Sequence, residues 1–187
     1  MKYISIDIET TGLNTQLHDV LEVGAIIEDT LNPLPREKCP TFHAYMWKEN
    51  YVGEAIALAM NSRILQRIHD LKKAGDTNLL LTELTFGMKF KAFLHANSSP
   101  TEAWTVAGKN VMSFDIPFLR RLPYWEDVRF RHRALDPTIK YVNWTADTQP
   151  PDLTTCKKRA GLPELVTHEA LDDAWDVISL LRQNYLV

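Results

Sequence analysis

Residues 2–9 alternate with a period of two. Ile4, Ile6 and Ile8 fall on one side, and Tyr3, Ser5, Asp7 and Glu9 on the other. That is the signature of a β-strand with one apolar face. Residues 19–29 carry a second strand pattern and residues 41–47 a third, with turn signals at residues 10–12 and prolines at 33, 35 and 40 between them. Three short strands joined this closely predict an antiparallel meander. The period then changes. Residues 55–60 and 64–71 are apolar at helical spacing with Gly75 as a stop, and residues 79–94 predict a longer amphipathic helix. Residues 104–108 predict a strand, 114–122 a helix, 154–159 a helix closed by Gly161 and Pro163, and 169–185 a last helix. The segment 123–152 is irregular, apart from a strand expected near Ala134 and Leu135. This order implies a mixed α/β sheet with helices on both faces and its first three strands antiparallel.

Two carboxylates interrupt the first strand on the face opposite the isoleucines. Asp7 and Glu9 are two residues apart, so their side chains point the same way and repel. A divalent ion offsets that repulsion, and hard oxygen ligands suit Mg²⁺ or Mn²⁺. Taken alone, the pair is a weak signal that a solvated polar face on an edge strand explains better. Thr10, Thr11, Gly12 and Leu13 follow as a turn. Its backbone N–H groups are placed to hold a terminal hydroxyl or phosphate, with Leu13 as a wedge against a base, or it is an ordinary turn. Asp115 stands two residues before Pro117, at a helix start, where an acid also serves as an N-cap. Asn110 is a turn residue or a substrate contact.

The last helix offers two acids, and periodicity separates them. Ala170, Ala174, Val177, Ile178, Leu181 and Tyr185 form one stripe at about 100° per residue. Asp172 points nearly opposite that stripe and is assigned to solvent. Asp173 lies at its margin, within reach of a neighbouring element. His168 precedes the helix on a loop. It is a surface histidine or, beside metal-bound water, a general base with a pKa near working pH.

Composition adds limits. The chain has 187 residues, 45% of them hydrophobic and 24% charged, which fits a single globular domain over 1–187. A net charge of −3 disfavours a protein that coats nucleic acid through its phosphates, but not one that holds a strand end. No stretch approaches the ~18 apolar residues of a membrane span. Asp7 would break the core of a signal peptide, so no membrane association and a cytoplasmic location are expected. Cys39 and Cys156 form no C-x-x-C pair and are read as idle thiols.

Together, Asp7-Ile8-Glu9-Thr10-Thr11-Gly12-Leu13, Ser113-Phe114-Asp115, and His168 five residues before Asp173 resemble the DEDDh branch of the DnaQ-like 3′→5′ exonucleases, which have a ribonuclease H-like fold. The strand Leu21-Glu22-Val23-Gly24-Ala25 also has a familial look. The resemblance implies that Asp7, Glu9, Asp115 and Asp173 hold two divalent metal ions, Mg²⁺ or Mn²⁺. It implies that His168 deprotonates the attacking water, that Thr10, Thr11, Gly12, Leu13, Asn110 and Phe114 meet the substrate, and that the partner is the 3′ end of a single-stranded nucleic acid, DNA or RNA. Nucleoside 5′-monophosphates would be the products. Asn110 lies five residues before Asp115, as in oligoribonuclease-like members, and Ala57-Leu58-Ala59-Met60-Asn61 resembles a segment of that subgroup. A phosphodiesterase for short oligonucleotides is therefore an alternative. A catalytically silent nucleic-acid-binding module is another, although all five positions are filled. A homodimer is an expectation by analogy with related small nucleases, and nothing in the sequence identifies a polymerase partner.

Asp136 is read as a turn or cap residue, not a fifth ligand. Two basic neighbourhoods, Arg120 to Arg133 and Lys157-Lys158-Arg159, are candidates for the path of the strand. Trp104, Trp125, Trp144 and Trp175 are read as core or loop anchors.

Overall fold

A computed structural model describes residues 1–97, 103–164 and 167–186. The alternating segment forms strand β1, Lys2–Thr10. It pairs antiparallel with β2, Val20–Asp29, which pairs antiparallel with β3, Thr41–Met46. Two short parallel additions complete the sheet: β4, Leu80–Leu81, on β3, and β5, Val106–Ala107, on β1. The order is β4-β3-β2-β1-β5. The expected meander is present, and β1 is interior. β5 reaches only Ile4 and Ser5, and beside Asp7 and Glu9 the outer side of β1 meets Asp115 at Ile8 N, so the pair is half-buried and its reading as a solvated edge is corrected.

Six helices are described: α1 (Ala55–Met60), α2 (Ser62–Ala74), α3 (Glu83–Asn97), α4 (Asp115–Leu119), α5 (Leu153–Arg159) and α6 (Ala170–Arg182). Gly75 ends α2 in the left-handed conformation, φ 67°, where its N–H bonds the Lys72 carbonyl. The helix expected over 79–94 begins only at Glu83. Its first residues instead complete the sheet, because the Leu79 and Leu81 carbonyls accept from Tyr45 and Trp47. An apolar run cannot by itself separate a buried edge strand from the helix that follows it. Near Ala134 the expected strand reduces to one bridge, Ala107 to Leu135.

The two faces of β1 and β2 have different partners. Ile4, Ile6 and Ile8 pack with Val23 and Ala25 against Phe86, Phe90 and Leu94 of α3 and Ile116 and Phe118 of α4. On the other face Tyr3 and Ile26 meet Ala174, Val177 and Ile178 of α6. Glu22, Gly24 and Glu28 share this face by their even spacing with Ile26. A Cβ on Gly24 would lie 2.4 Å from the Ala170 and Leu171 backbone, so this glycine lets the start of α6 lie directly on the sheet. α2 covers the adjoining corner through Ile64, Ile68 and Leu71.

The tryptophans divide. Trp104 and Trp125 are buried, and Trp175 lies under the guanidinium groups of Arg182 and Arg36. Trp144 is 80% exposed, which corrects its reading as an anchor. The turn around it is held by Asp147, whose carboxylate accepts from Asn143 N and pairs with Arg159. Both cysteines are free and buried. No described helix is long and apolar enough to cross a membrane.

Candidate metal centre

One end of the β1–β2–α6 layer gathers the acids. A register shift between Glu9 and Thr10 closes the β1–β2 ladder there, as bulges often do beside functional sites. α4 starts at this end, and the Asp115 carboxylate accepts a hydrogen bond from Ile8 N at 3.1 Å. Asp115 is the first residue of its helix and not its cap. α6 starts here too, held by Glu22, whose carboxylate accepts from Ala170 N at 3.2 Å. Asp173 is thereby buried at 7% exposure, facing β1. His168 lies on the preceding loop with φ 53°, and Asn110 takes φ 56° before α4. Positive φ at non-glycine residues is uncommon and recurs at functional loops.

Ligand atoms of Glu9, His168 and Asp173 lie within 4.8 Å of one another. Asp7 joins them electrostatically: burial pushes its carboxyl well above the usual range, and Asp115, Asp173 and Glu9 push the same way. Burial and the neighbouring Asp173 and Glu22 raise Glu9 to about 8. Burial raises Asp115 to about 7, against hydrogen bonds that favour its charge. Burial and Asp176 raise Asp173 to about 7, against Lys157. Lys157 is committed to Asp176 by a buried ion pair. Among the described residues no ion pair is made to these four acids, so a cation from outside is the natural complement.

Asp173 Oδ1 is buried without a hydrogen-bond partner. The other such atom among the described residues, Ser5 Oγ, belongs to the same β1 face two residues before Asp7. An unpaired carboxylate oxygen in a ring of oxygen donors fits a hard divalent ion. The carboxylates therefore suit a hard divalent ion, with the His168 ring beside them.

The remaining sequence candidates sit around this core in different ways. The Thr10 hydroxyl donates to the Gly12 carbonyl at 2.8 Å. The Thr11 hydroxyl donates to the Val52 carbonyl and accepts from Asp19 N. Both threonines therefore shape the turn with their side chains. Gly12 packs on His18, since a Cβ there would lie 2.3 Å from the ring. Leu13 projects outward, 74% exposed. Phe114 packs edge-on against Phe118. Asn110 is exposed, and its N–H bonds Asp136 Oδ2 at 3.1 Å. Asp136 also accepts from Thr138 N at the start of a 3₁₀ turn, which is the cap role expected of it. Asp172 is not purely solvent-facing: it pairs with Arg36 and accepts from Thr167, and these bonds hold its carboxyl below the usual range despite partial burial.

Three residues escaped the sequence reading. Glu22 is fully buried, also bonds His43 Nε2 at 2.6 Å, and acts on Asp7, Glu9 and Asp173. An acid inside a strand of aliphatic residues was the available signal. Asn61 is buried, donates to the Thr10 carbonyl at 2.9 Å and, beside Glu9, favours its charged form. Lys157, grouped in a basic run that is a candidate for the path of the strand, is only 4% exposed. A groove of about 690 Å³ opens beside the cluster, lined by His168, Asn61, Arg63, Arg67 and Tyr45 among others.

No family model matches this sequence, and no curated protein does. Solved structures do match. Exonuclease I from E. coli in complex with a dT13 oligonucleotide superposes over 98% of this chain with a TM-score of 0.66 at 15% identity. The zinc-bound form of an E. coli exonuclease I–single-stranded DNA complex covers 97% with a TM-score of 0.63 at 16% identity. A moderately thermophilic exonuclease I from Methylocaldum szegediense covers 97% with a TM-score of 0.62 at 16% identity. The fold is ribonuclease H-like. The chain spans only 41%, 40% and 40% of those three proteins, and the identities are low, so the likeness concerns architecture.

Proposed function

We propose that this protein is a metal-dependent 3′→5′ exonuclease acting on single strands, with DNA as the first substrate to test. The observation that carries the reading is the convergence of Glu9, His168 and Asp173 with the buried acids Asp7 and Asp115 at one end of the sheet. The architecture shared with proteins solved on dT13 and dA16 oligonucleotides supports it. The 3′→5′ polarity comes from the resemblance of the three motifs to the DEDDh exonucleases.

Asp7, Glu9, Asp115 and Asp173 would hold two Mg²⁺ or Mn²⁺ ions. Bound there, the metal supplies a more acidic water and stabilises charge on the entering and leaving oxygens. His168 takes the proton from the attacking water at a ring nitrogen. Its loop position leaves it exposed to solvent and substrate while its ring stays beside Glu9 and Asp173. The P–O3′ bond breaks, giving a nucleoside 5′-monophosphate and a strand one residue shorter. Asn61 holds the Thr10 carbonyl at the end of β1 and favours the charge of Glu9, and Glu22 holds the start of α6 and so the His168 loop. Leu13 is placed to wedge against the terminal base, on a turn whose threonine hydroxyls are already bonded.

The test is time-resolved cleavage of matched 5′-labelled single-stranded DNA and RNA in Mg²⁺, Mn²⁺ and EDTA. A ladder shrinking from the 3′ end and abolished by EDTA is expected. Intact strands under every metal would overturn the proposal.

A further inference from the structure

The two basic neighbourhoods of the sequence have different fates in the fold. Lys157 is buried on Asp176, Lys158 faces Glu164 at 4.0 Å, and Arg159 is bonded to Asp147 and to the Tyr141 carbonyl. Those charges are already answered. In the other neighbourhood Arg121 is spent on the Thr15 and His18 carbonyls. Arg120, Arg129, Arg131 and Arg133 are all exposed, and none has an ion pair or side-chain hydrogen bond among the described residues. In a chain of net charge −3, four neighbouring guanidinium groups without partners mark a surface kept free for an anion.

Their backbone places them. Residues 129–131 run beside Trp104, with Trp104 N bonded to the Arg129 carbonyl and Arg131 N to the Trp104 carbonyl. Phe130 between them turns inward to stack on Trp125 at 5.4 Å. Arg129 and Arg131 therefore share the outward side, about 6.6 Å apart along the strand. Arg120 and Arg129 line one surface hollow, with Glu126 the acid on its wall. Beside Trp104, Arg129 and Arg131 lie level with the start of β1, away from Asp7 and Glu9, and the chain connects this rim to the cluster on both sides. Arg120 follows α4, which begins at Asp115. Arg133 lies three residues before Asp136, which holds the Asn110 amide.

We propose that Arg120, Arg129, Arg131 and Arg133 form a phosphate-tracking rim that grips the strand upstream of the nucleotide being removed. This rests on the exonuclease reading and adds to it a substrate-length preference. Guanidinium groups on an outward strand face contact successive phosphates without reading bases. The rim acts on long single strands and not on substrates too short to reach it.

The test replaces Arg129, Arg131 and Arg133 together by Ala. All three are exposed, so the melting temperature is expected to stay unchanged. Two substrates are compared: a labelled oligothymidylate of about 20 nucleotides, and the p-nitrophenyl ester of thymidine 5′-monophosphate. On the oligonucleotide KM rises on the order of tenfold at unchanged kcat. The slope of log KM against log salt becomes shallower by about 2, at ~0.7 per lost phosphate contact. Turnover of the ester is unchanged, and Lys158→Ala changes neither. Equal KM values for the triple variant and the parent on the oligonucleotide would overturn the rim and leave that edge to an acidic polypeptide. If the parent cleaves neither substrate, the hydrolytic reading fails. Fluorescence anisotropy of the labelled strand in EDTA then decides the rim alone: weaker binding by the triple variant upholds it, and equal binding overturns it.

Discussion

The β1–β2–α6 layer buries acids at both of its ends and treats them in opposite ways. At one end Glu28 is 1% exposed and accepts from Arg182 Nε at 3.1 Å, from its second nitrogen at 2.7 Å, and from the Tyr185 hydroxyl at 2.9 Å. Burial and the Glu28 charge push the Tyr185 hydroxyl up to about 12, so it stays a donor. At the other end, about 14 Å away along α6 from Arg182 to Asp173, Asp7, Glu9, Asp115 and Asp173 crowd together, and among the described residues none of them has such an ion pair. The same sandwich thus contains a cluster neutralised by its own arginine and a cluster left for an ion from outside. The first is architecture. The second stores electrostatic repulsion that a ligand relieves, which is the physical difference between a structural and a functional set of carboxylates.

The largest effect that sharpens this contrast is on activity. Asp7→Asn removes a proposed metal ligand while relieving repulsion. Cleavage is expected to fall on the order of a thousandfold, while the metal-free protein melts no lower than the parent. A lower melting temperature in EDTA would show that Asp7 serves the fold instead. At the Glu28 end the signs reverse. Arg182→Leu strands a buried carboxylate and should cost about 3–5 kcal/mol in chemical denaturation. Adding Glu28→Gln should recover most of it, and metal should have no influence on either variant.

The pH dependence separates the two ends by sign. Asp115 and Asp173 are raised to about 7 and Glu9 to about 8, from ordinary carboxyl values near 4. The folded chain therefore binds more protons than the unfolded one between those limits, and unfolding free energy falls as pH rises through that window. In EDTA the melting temperature should be highest near pH 4 to 5 and decline toward pH 8. Mg²⁺ should restore it increasingly as pH rises, because only the ionised acids bind the ion. A metal-free melting temperature that climbs from pH 5 to 8 would refute the uncompensated cluster. A smaller effect is expected at Glu22, which touches the site through α6. Glu22→Gln should lower activity about 10–100-fold, with reduced metal affinity read by calorimetry, at unchanged fold by circular dichroism.

Much of this contrast was legible in the sequence, and the reason is periodicity. Alternation over residues 2–9 placed Asp7 and Glu9 on one face, and the helical stripe from Ala170 separated Asp173 from Asp172. Both are local properties of regular elements. What the sequence hid depends on contacts between elements far apart. Glu22 reaches Ala170, Glu28 reaches Arg182, and Lys157 reaches Asp176, each across the layer. No local pattern tells a buried, paired charge from a solvated one, so Lys157 was grouped with a surface run. Leu80 and Leu81 show the same limit for structure, because two strand residues merge into the apolar run of α3. Trp144 shows it for burial: a large apolar residue in a loop has no periodicity to say which way it faces.

The smallest expected effect tests the separation of neighbours. Asp172 and Asp173 differ by one position on α6, that is by about 100° of rotation. The rotation sends Asp172 to Arg36 and Thr167 and leaves Asp173 Oδ1 buried without a partner. The Arg36–Asp172 pair is partly exposed, 41% and 32% by side chain, so it is worth at most about 1 kcal/mol. Asp172→Asn should therefore lower stability by less than that and leave cleavage within about twofold. Since Asp172 also contributes to raising Asp173, the variant should ease ionisation of Asp173, so that the metal-free decline in melting temperature is slightly smaller and ends at lower pH. Asp173→Asn should instead abolish cleavage and the Mg²⁺ stabilisation together. Equal losses from the two variants would mean that the metal centre spans both acids, and the assignment by helical rotation would fail.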